Sequence, residues 1–403
     1  MAAKVVPYWQ RVVAGLISLG LATAMWLPAL HVFFAGNVTD YRIAGKIAPK
    51  ARQLAARHIE LWSDPELVEQ EIAKMRSSNA EWDFMGRTFL VLSLANMCLA
   101  EPALEEEYLP VIDKIIGETI RLEQTYGFYH FLLDYGRARP FVVQPARSIF
   151  VDGEIAAMLG ARQVVKQRAD YGPMLQARVD QMIAQMQKGP VLSGECYPNE
   201  CWMFCQSFAL AAITISDGLD GRDHGEFCRQ WINTAKQHLV DPETGLLVSS
   251  YTLEGFANDG PEGSTIWLVS HCLQLVDEDF ALDQYTRARK ELGRDRLGFG
   301  WSREWPASWR GPLDVDSGPV LPVLQVSPSA SGLALIGAAA FNDDVFLHRL
   351  IASLNFGGFP RRHDDKLEFC ASNQVGESVV LYALTLGPLW EKVKNLKKAA
   401  DGI

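Results

Sequence analysis

Helical segments with one apolar face alternate along most of the chain with helical segments that are apolar all round. A helix of the first kind lies at a protein surface, whereas a helix of the second kind is buried. Six buried segments inside an outer layer predict an all-α fold, an (α/α)6 barrel, built as one domain over residues 36–403. We expect the inner ring to consist of helices at 88–100, 150–161, 202–216, 263–276, 328–341 and 372–387.

The N-terminal stretch from Val12 to Ala35 carries no Asp, Glu, Lys or Arg. A helix of roughly 20 apolar residues crosses a bilayer, so residues 12–35 are predicted to form a transmembrane or signal-anchor helix whose partner is the lipid bilayer. Lys4 and Arg11 precede it, so the positive-inside rule places residues 1–11 in the cytoplasm and the barrel on the extracytoplasmic face. A cleaved signal peptide stays open as an alternative, because Ala22-Thr23-Ala24 resembles a cleavage site.

Composition and charge argue against several classes of function. The formal net charge is −10 and no Lys/Arg cluster stands out, so no nucleic-acid partner is expected. The seven cysteines are odd in number and irregular in spacing, which is not typical of a disulfide-rich domain. Cys201 and Cys205 form one closely spaced pair without a second pair or a nearby histidine, so we predict no metal site. No glycine-rich phosphate loop is found, and no cofactor is predicted.

A short polar run introduces each of the six predicted inner helices. Because all six runs precede their helices, they are expected to gather at one mouth of the barrel, where helix N-termini also converge. Carboxylates and thiols among them predict a pocket, although each run taken alone also fits helix capping. The runs are EWDFMGR (81–87), RSIFVDGE (147–154), CYPNECWMFC (196–205), NDGPEGS (258–264), VSPSASG (326–332) and CASNQVGES (370–378).

The pattern Cys196-x-Pro198-Asn199-x5-Cys205 resembles the linalool dehydratase-isomerase family, in which two thiols at this spacing flank a terpenol inside an (α/α)6 barrel. The run EWDFMGRTF resembles the family's early acidic motif and puts its aspartate on Asp83. The run RSIFVDGEI puts the position of the family's catalytic histidine on Glu154. The resemblance therefore implies catalytic roles for these two carboxylates and both thiols, and it implies assembly into a homo-oligomeric ring.

Two positions depart from the family pattern. Phe89 stands where a tyrosine is expected, and Glu154 stands where the histidine is expected, so the acid–base chemistry would differ. Tyr251, in a predicted hairpin at 245–256, is a candidate for the missing proton donor. We assign substrate contacts to the aromatic residues near these motifs and to the two carboxylates of the fourth run, namely Phe89, Phe150, Trp202, Tyr251, Asp259 and Glu262.

The first functional hypothesis is a lyase/isomerase that dehydrates or isomerises a small apolar, terpenoid-like alcohol. A carboxylic acid would protonate the leaving hydroxyl while a base removes a neighbouring proton. A glycan-active hydrolase or lyase is the second, with Asp83 and Glu154 as paired carboxylates and tryptophans from the loop 297–328. A membrane-tethered, lipid-binding module without catalysis is the third. A closed, dry site favours the first hypothesis, and an open groove with aligned tryptophans favours the second.

We expect alkaline carbonate extraction to leave the full-length chain in the membrane pellet, because a spanning helix is retained by its apolar contacts with lipid. A peripheral membrane protein released in the same extract is the control. Release of the full-length chain would contradict the anchor, and a mature N-terminus at Met25 would establish the signal peptide instead.

Overall fold

The computed structural model describes residues 7–43, 45–313 and 317–400. Its helices are α1 Tyr8–Ala29, α2 Val38–Tyr41, α3 Pro49–Ser63, α4 Pro65–Ser78, α5 Ala80–Ala100, α6 Glu105–Tyr126, α7 Ile149–Val165, α8 Tyr171–Met186, α9 Met203–Asp220, α10 Gly225–His238, α11 Gly263–Leu273, α12 Glu278–Glu291, α13 Pro328–Ala340, α14 Asp344–Gly357, α15 Gln374–Thr385 and α16 Pro388–Ala400. The strands are β1 Cys201–Trp202, β2 Ser250–Tyr251, β3 Ala257–Asp259, β4 Gly293–Arg296, β5 Phe299–Ser302, β6 Pro360–His363 and β7 Lys366–Phe369.

Six helices form a closed ring. In the order α5, α7, α9, α11, α13 and α15, each packs against the next, and α15 returns to α5. Small residues allow close approach: a Cβ added at Gly153 of α7 would lie 3.2 Å from the backbone nitrogen of Ala209 of α9. The ring confirms the predicted (α/α)6 barrel and all six predicted inner helices.

The first inner helix begins earlier than predicted, at Ala80 rather than 88. Asn79 caps it by accepting a hydrogen bond from the backbone N–H of Glu81, which satisfies a donor that the helix itself leaves unpaired. The acidic run 81–87 therefore lies on the first turns of α5 rather than in front of it. Ser327 and Asn373 cap α13 and α15 in the same way, so the polar runs supply caps as well as candidate chemistry.

The outer helices return the chain from the base of the barrel to its mouth, where the inner helices begin. The last helix, α16, crosses the C-terminal ends of α5, α7 and α9 and closes the base. Its backbone N–H at Leu389 donates to Asn96 at 2.9 Å, and the indole of Trp390 donates to the carbonyl of His271 at 3.2 Å. Access to the interior therefore has to come from the mouth.

The short strands join loops at the mouth. The hairpin predicted at 245–256 is found at 250–259, where β2 pairs with β3, and β1 extends it to a three-stranded sheet by pairing with β2. This sheet ties the cysteine-rich run to the run that precedes α11. The predicted loop 297–328 contains β5, which pairs with β4 as a hairpin, and β6 pairs with β7 just before α15.

Helix α1 has no buried residue and is the one helix of the described chain that is long and apolar enough to cross a membrane. It begins at Tyr8 and passes through Pro28 into a 3-10 turn at Leu30–Phe33, close to the predicted span 12–35. Of the predicted cytoplasmic segment 1–11, residues 1–6 lie outside the described part of the chain.

One histidine is buried in α3 without a polar partner. Neither ring nitrogen of His58 has a hydrogen bond among the described residues. Burial, helped by the charge of Arg57, lowers the pKa of His58 from 6.5 to about 3. Below pH 6.5 the unfolded chain therefore binds a proton at this position that the folded chain does not, so stability is lost as pH falls from 6.5 toward 3.

We expect His58→Leu to be as stable as the wild type at pH 7 or slightly more stable, because the replacement removes two unpaired polar atoms from the core. At pH 5 the free energy of unfolding of the variant should be about 2 kcal/mol higher relative to the wild type than at pH 7, because protonation of His58 in the unfolded chain no longer lowers it. Urea unfolding at both pH values measures the difference. Equal pH dependence of the two proteins would contradict the neutral, buried histidine.

Candidate active site

The cysteine-rich run folds back through a tight turn before α9 begins. The backbone N–H of Cys196 donates to the carbonyl of Glu200 at 2.8 Å, and Asn199 adopts a left-handed φ of 54°. The buried carboxylate of Glu195 accepts the N–H of Asn199 at 2.6 Å and fixes the turn. Cys196 thus lies on the loop, while Cys205 is in the first turn of α9, as the spacing predicted.

The sulfur of Cys196 is surrounded by donors. It accepts the backbone N–H of Trp202 at 3.2 Å and lies 3.8 Å from the amide of Gln206. The Gln206 side chain also binds both backbone groups of Gly194, so it is held in place. Donors aimed at sulfur stabilise negative charge on it. Burial, and then a hydrogen bond to Cys196, raise the pKa of Cys205 well above its usual value, so Cys205 stays a thiol.

Glu154 is a buried carboxyl with one fixed oxygen and one unpartnered oxygen. The hydroxyl of Thr88 donates to its Oε2 at 2.5 Å, while Oε1 is buried and has no hydrogen-bond partner among the residues described. Burial raises the pKa of Glu154 to about 8, with a smaller contribution from the charge of Glu81. At neutral pH Glu154 is therefore protonated and can donate.

A second carboxylate joins this group. The hydroxyl of Tyr197 donates to Glu81, and Tyr197 in turn accepts the backbone N–H of Leu133 at 2.9 Å. The charge of Glu81 raises the pKa of both Glu154 and Cys205. Sequence reasoning missed Glu81, although its spacing of seven residues from Thr88 puts both on one face of α5.

Asp83 lies on a different face of α5. Its carboxylate pairs with Arg87 at 2.8 Å and with Arg76 of α4 at 3.4 Å. The guanidinium of Arg87 also stacks over the ring of Trp62 in α3, with 5.1 Å to its centroid. Within one chain the structure thus places Asp83 between the inner and outer layers, and it places Glu81 rather than Asp83 beside Glu154.

Of the predicted aromatic contacts, some lie in the barrel interior and others lie between neighbouring helices. Phe89 lies in the interior, with its ring 6.0 Å from Phe208 and 5.7 Å from Tyr382. Phe150 packs edge-on against Phe84 at 5.1 Å, between α5 and α7. These rings come from four inner helices, α5, α7, α9 and α15.

The remaining predicted contacts belong to the sheet at the mouth. Trp202 is half-buried and its indole donates to Glu200. Tyr251 is buried beside the cysteines and its hydroxyl bonds Ser193 at 2.8 Å. Asp259 ends β3, and Glu262 is buried at the start of α11, with its N–H donating to Ser249 at 2.9 Å. These contacts hold the mouth together around the site.

Helix α15 contributes buried polar atoms that were not predicted from the sequence. Ser378 Oγ and Gln374 Oε1 are buried without hydrogen bonds in the described chain. They stand four and eight residues before Tyr382, whose hydroxyl bonds His271 Nε2 at 2.8 Å. Helical periodicity places Ser378 on the same stripe as Tyr382. Together with Glu154 Oε1, these atoms leave buried hydrogen-bonding capacity that a polar group of a ligand, or water, would satisfy.

The loop tryptophans bind within their own loop. The indole of Trp301 donates to the carbonyl of Leu324 at 3.2 Å, and that of Trp309 donates to Pro312 at 2.9 Å. These hydrogen bonds fix both indoles within the loop, and the Trp309 ring also lies against Gly260 of the fourth polar run.

No protein-family model matches the chain. Its fold is similar to that of a GH76 α-mannanase from Bacteroides thetaiotaomicron, with a TM-score of 0.47 and 11% sequence identity over 77% of this chain and 87% of the other. It is also similar to a glycoside hydrolase of family 105 from C. acetobutylicum, with a TM-score of 0.47 and 11% identity over 85% of this chain and 99% of the other. Similarities of this size decide nothing about activity.

We expect Glu154→Gln to change how stability depends on pH. Between pH 4.5 and about 8 the folded wild type keeps a proton on Glu154 that the unfolded chain has released, so its stability falls as pH rises through this range. The variant has no such pH-dependent loss of stability. Relative to the wild type, its free energy of unfolding at pH 8 should therefore be higher by on the order of a few kcal/mol. Urea unfolding at pH 5 and pH 8 tests this, with the exposed Glu243→Gln as control. Parallel curves for wild type and Glu154→Gln would contradict a buried, protonated carboxyl.

Proposed function

We propose that this protein is a lyase/isomerase that removes or moves the hydroxyl group of a small apolar alcohol by acid–base catalysis. The observation that carries the proposal is the buried Oε1 of Glu154, which has no hydrogen-bond partner in the described chain and lies beside a pair of thiols. Burial raises the pKa of this carboxyl to about 8, which favours its protonated form. The resemblance to the linalool dehydratase-isomerase family supports the same chemistry. Burial of the whole group favours an apolar substrate over a chain of sugars.

In the proposed reaction, Glu154 gives its proton to the substrate hydroxyl as the carbon–oxygen bond breaks, and water leaves. The sulfur of Cys196 takes a proton from the neighbouring carbon, whose carbon–hydrogen electron pair forms the new double bond. Transfer of that proton back to Glu154 restores both groups. Isomerisation follows when water adds again at the other end of the allylic system, with the same groups exchanging roles.

Positive charge that develops on the substrate carbon would be stabilised by two features of the site. The carboxylate of Glu81 supplies negative charge from the mouth side, held by the Tyr197 hydroxyl. The ring faces of Phe89 and Tyr382 supply an electron-rich wall from below. Phe89 thus serves as a wall, and the unpartnered hydroxyl of Ser378 is a candidate to hold the departing water.

A glycan-active enzyme is the second candidate. Glycoside hydrolysis also uses one protonated carboxyl as the acid and one carboxylate as the base or nucleophile. Glu154, whose pKa is raised, and the neighbouring carboxylate of Glu81 could fill these two roles. Both similar structures are named as glycoside hydrolases. This candidate gives Cys196 and Cys205 no chemical role, and for that reason we rank it second.

We further propose that the chain is anchored in a membrane through α1 with the barrel outside the cytoplasm, and that it forms a homo-oligomeric ring. The first proposal is supported by the fully exposed apolar surface of α1 and by Arg11, which precedes most of that surface. The ring is supported by the family resemblance alone.

The identifying experiment is a turnover screen with the purified full-length chain, using small allylic alcohols and, in parallel, mannans and unsaturated oligosaccharides. We expect alkene or isomerised alcohol from the first panel, with a rate that falls as pH rises through about 8, because Glu154 then loses its proton. Glu154→Gln should lower the rate at least ~100-fold. Sugar release with no alcohol turnover would overturn the proposal in favour of the glycan-active candidate.

The cysteines offer a matched comparison. We expect Cys196→Ala and Cys205→Ala each to abolish alcohol turnover, whereas Cys201→Ala, buried on β1 behind them, should leave the rate within about threefold, because its contacts are packing contacts. Protein oxidised at the thiol pair should regain activity with reductant. Product formation and far-UV circular dichroism are measured on all three variants. A loss of alcohol turnover in Cys201→Ala as large as in the other two variants would contradict the roles assigned to Cys196 and Cys205.

A further inference from the structure

Four large apolar side chains stand exposed around the point where α1 meets the barrel. Their exposed fractions are 72% for Phe33, 45% for Leu297, 50% for Phe356 and 64% for Phe359. We call these four residues the apolar collar. Clustered exposure of side chains of this size is uncommon in a protein surrounded by water, and it marks an interaction surface.

The collar is continuous with the end of α1. The 3-10 turn Leu30–Phe33 follows α1 directly, and the next residue, Phe34, packs its ring 5.1 Å from Phe356 and 6.3 Å from Phe299. The Asn355 side chain donates to the carbonyl of Phe34 at 2.9 Å. The end of α1 is therefore fixed to the barrel beside the collar, over an open crevice of about 720 Å³.

The collar lies at the mouth end of the barrel. Helix α14 follows the inner helix α13 after a short turn and runs back in the opposite direction, so its C-terminal end, with Phe356, is at the mouth. The β4–β5 hairpin, whose tip carries Leu297, leads to the start of α13. Phe359 precedes the β6–β7 hairpin, which leads to the start of α15.

We propose that the apolar collar is seated in the surface of the lipid bilayer, so that the barrel lies on the membrane with one side of its mouth against the lipid. The 22 residues of α1 span roughly 33 Å, which is close to the thickness of the hydrocarbon layer. One short turn then separates the end of the span from Phe33, so the collar is at the depth of the headgroups. Aromatic side chains favour that depth.

Lipid charge is not needed for this contact. The β6–β7 hairpin near the collar carries Arg361 and Arg362 on β6 and Asp364 and Asp365 in its turn, so these charges balance. The occupant is therefore the apolar and interfacial zone of a bilayer of any headgroup charge. The inference rests on the proposed membrane anchor, but it holds whatever reaction the site performs.

The test uses the full-length chain reconstituted in neutral phosphatidylcholine vesicles. The exposed Cys370 is first replaced (Cys370→Ser), which leaves six buried cysteines. One exposed cysteine is then introduced as Phe356→Cys or Phe359→Cys and labelled with an environment-sensitive fluorophore, and the Cys370→Ser protein treated in the same way gives the background from the buried thiols. The matched control is Leu282→Cys, an exposed leucine near the start of α12 at the base of the barrel. A label at Ile17→Cys in α1 reports separately on the anchor.

We expect emission from labels at 356 and 359 to shift to the blue and to be quenched at least threefold more than the label at 282 by lipids that carry a spin label near the headgroup. The label at 17, near the middle of α1, should be quenched by lipids that carry the spin label deep in the acyl chain. Adding Phe33→Asp should reduce quenching at 359 while the deep quenching at 17 persists. Quenching at 17 with none above control at 356 and 359 overturns the collar and leaves the anchor and the proposed chemistry standing. Absence of quenching at all three positions overturns the collar and the anchor together.

Discussion

The inner helices bury their whole circumference, and the position of every reactive group follows from this constraint. A helix enclosed on all sides by apolar neighbours can present polar atoms only on its first turn or at the cost of burying them. The described inner helices start at the same rim of the ring, and α16 closes the opposite end. Groups drawn from α5, α7 and α9 thereby meet at one rim, although they are far apart in the chain.

Burial also separates the roles of carboxylates that look alike in sequence. Glu154 lies in the apolar interior with a single neutral donor, so its neutral form is favoured. Asp83 is also buried, but it has two arginines within ion-pair distance, an arrangement that stabilises the fold between the two layers. Two acids from one interior can therefore serve different purposes, and the deciding factor is the identity of their nearest neighbours.

The ring could be predicted because helix-wide apolarity is a local signal that tertiary contacts do not alter. Which of the two acids, Glu81 or Asp83, lies beside Glu154 could not be predicted, because the answer depends on the rotation of α5 about its axis. That rotation is set by Asn79, which starts the helix, and by Arg76 and Arg87, which hold Asp83 outward.

Pairings between distant segments escaped prediction for a related reason. Tyr251 lies in the expected local hairpin, which β2 forms with β3, but its strand also pairs with Cys201–Trp202, which is remote in sequence. The exposure of Phe356 and Phe359 is equally invisible in a hydropathy pattern, since Phe356 lies in the last turn of an ordinary outer helix and Phe359 follows that helix. Such features depend on which surfaces meet after folding.

The fixed junction between α1 and the rim determines which concentration of an apolar substrate is relevant to the site. Held with its mouth at the lipid surface, the barrel would sample an apolar substrate by its mole fraction in the membrane, not by its amount per litre of solution. Added empty vesicles would then dilute the substrate without changing its total quantity. Rates would follow the ratio of substrate to lipid, and lateral diffusion in two dimensions would set the encounter frequency.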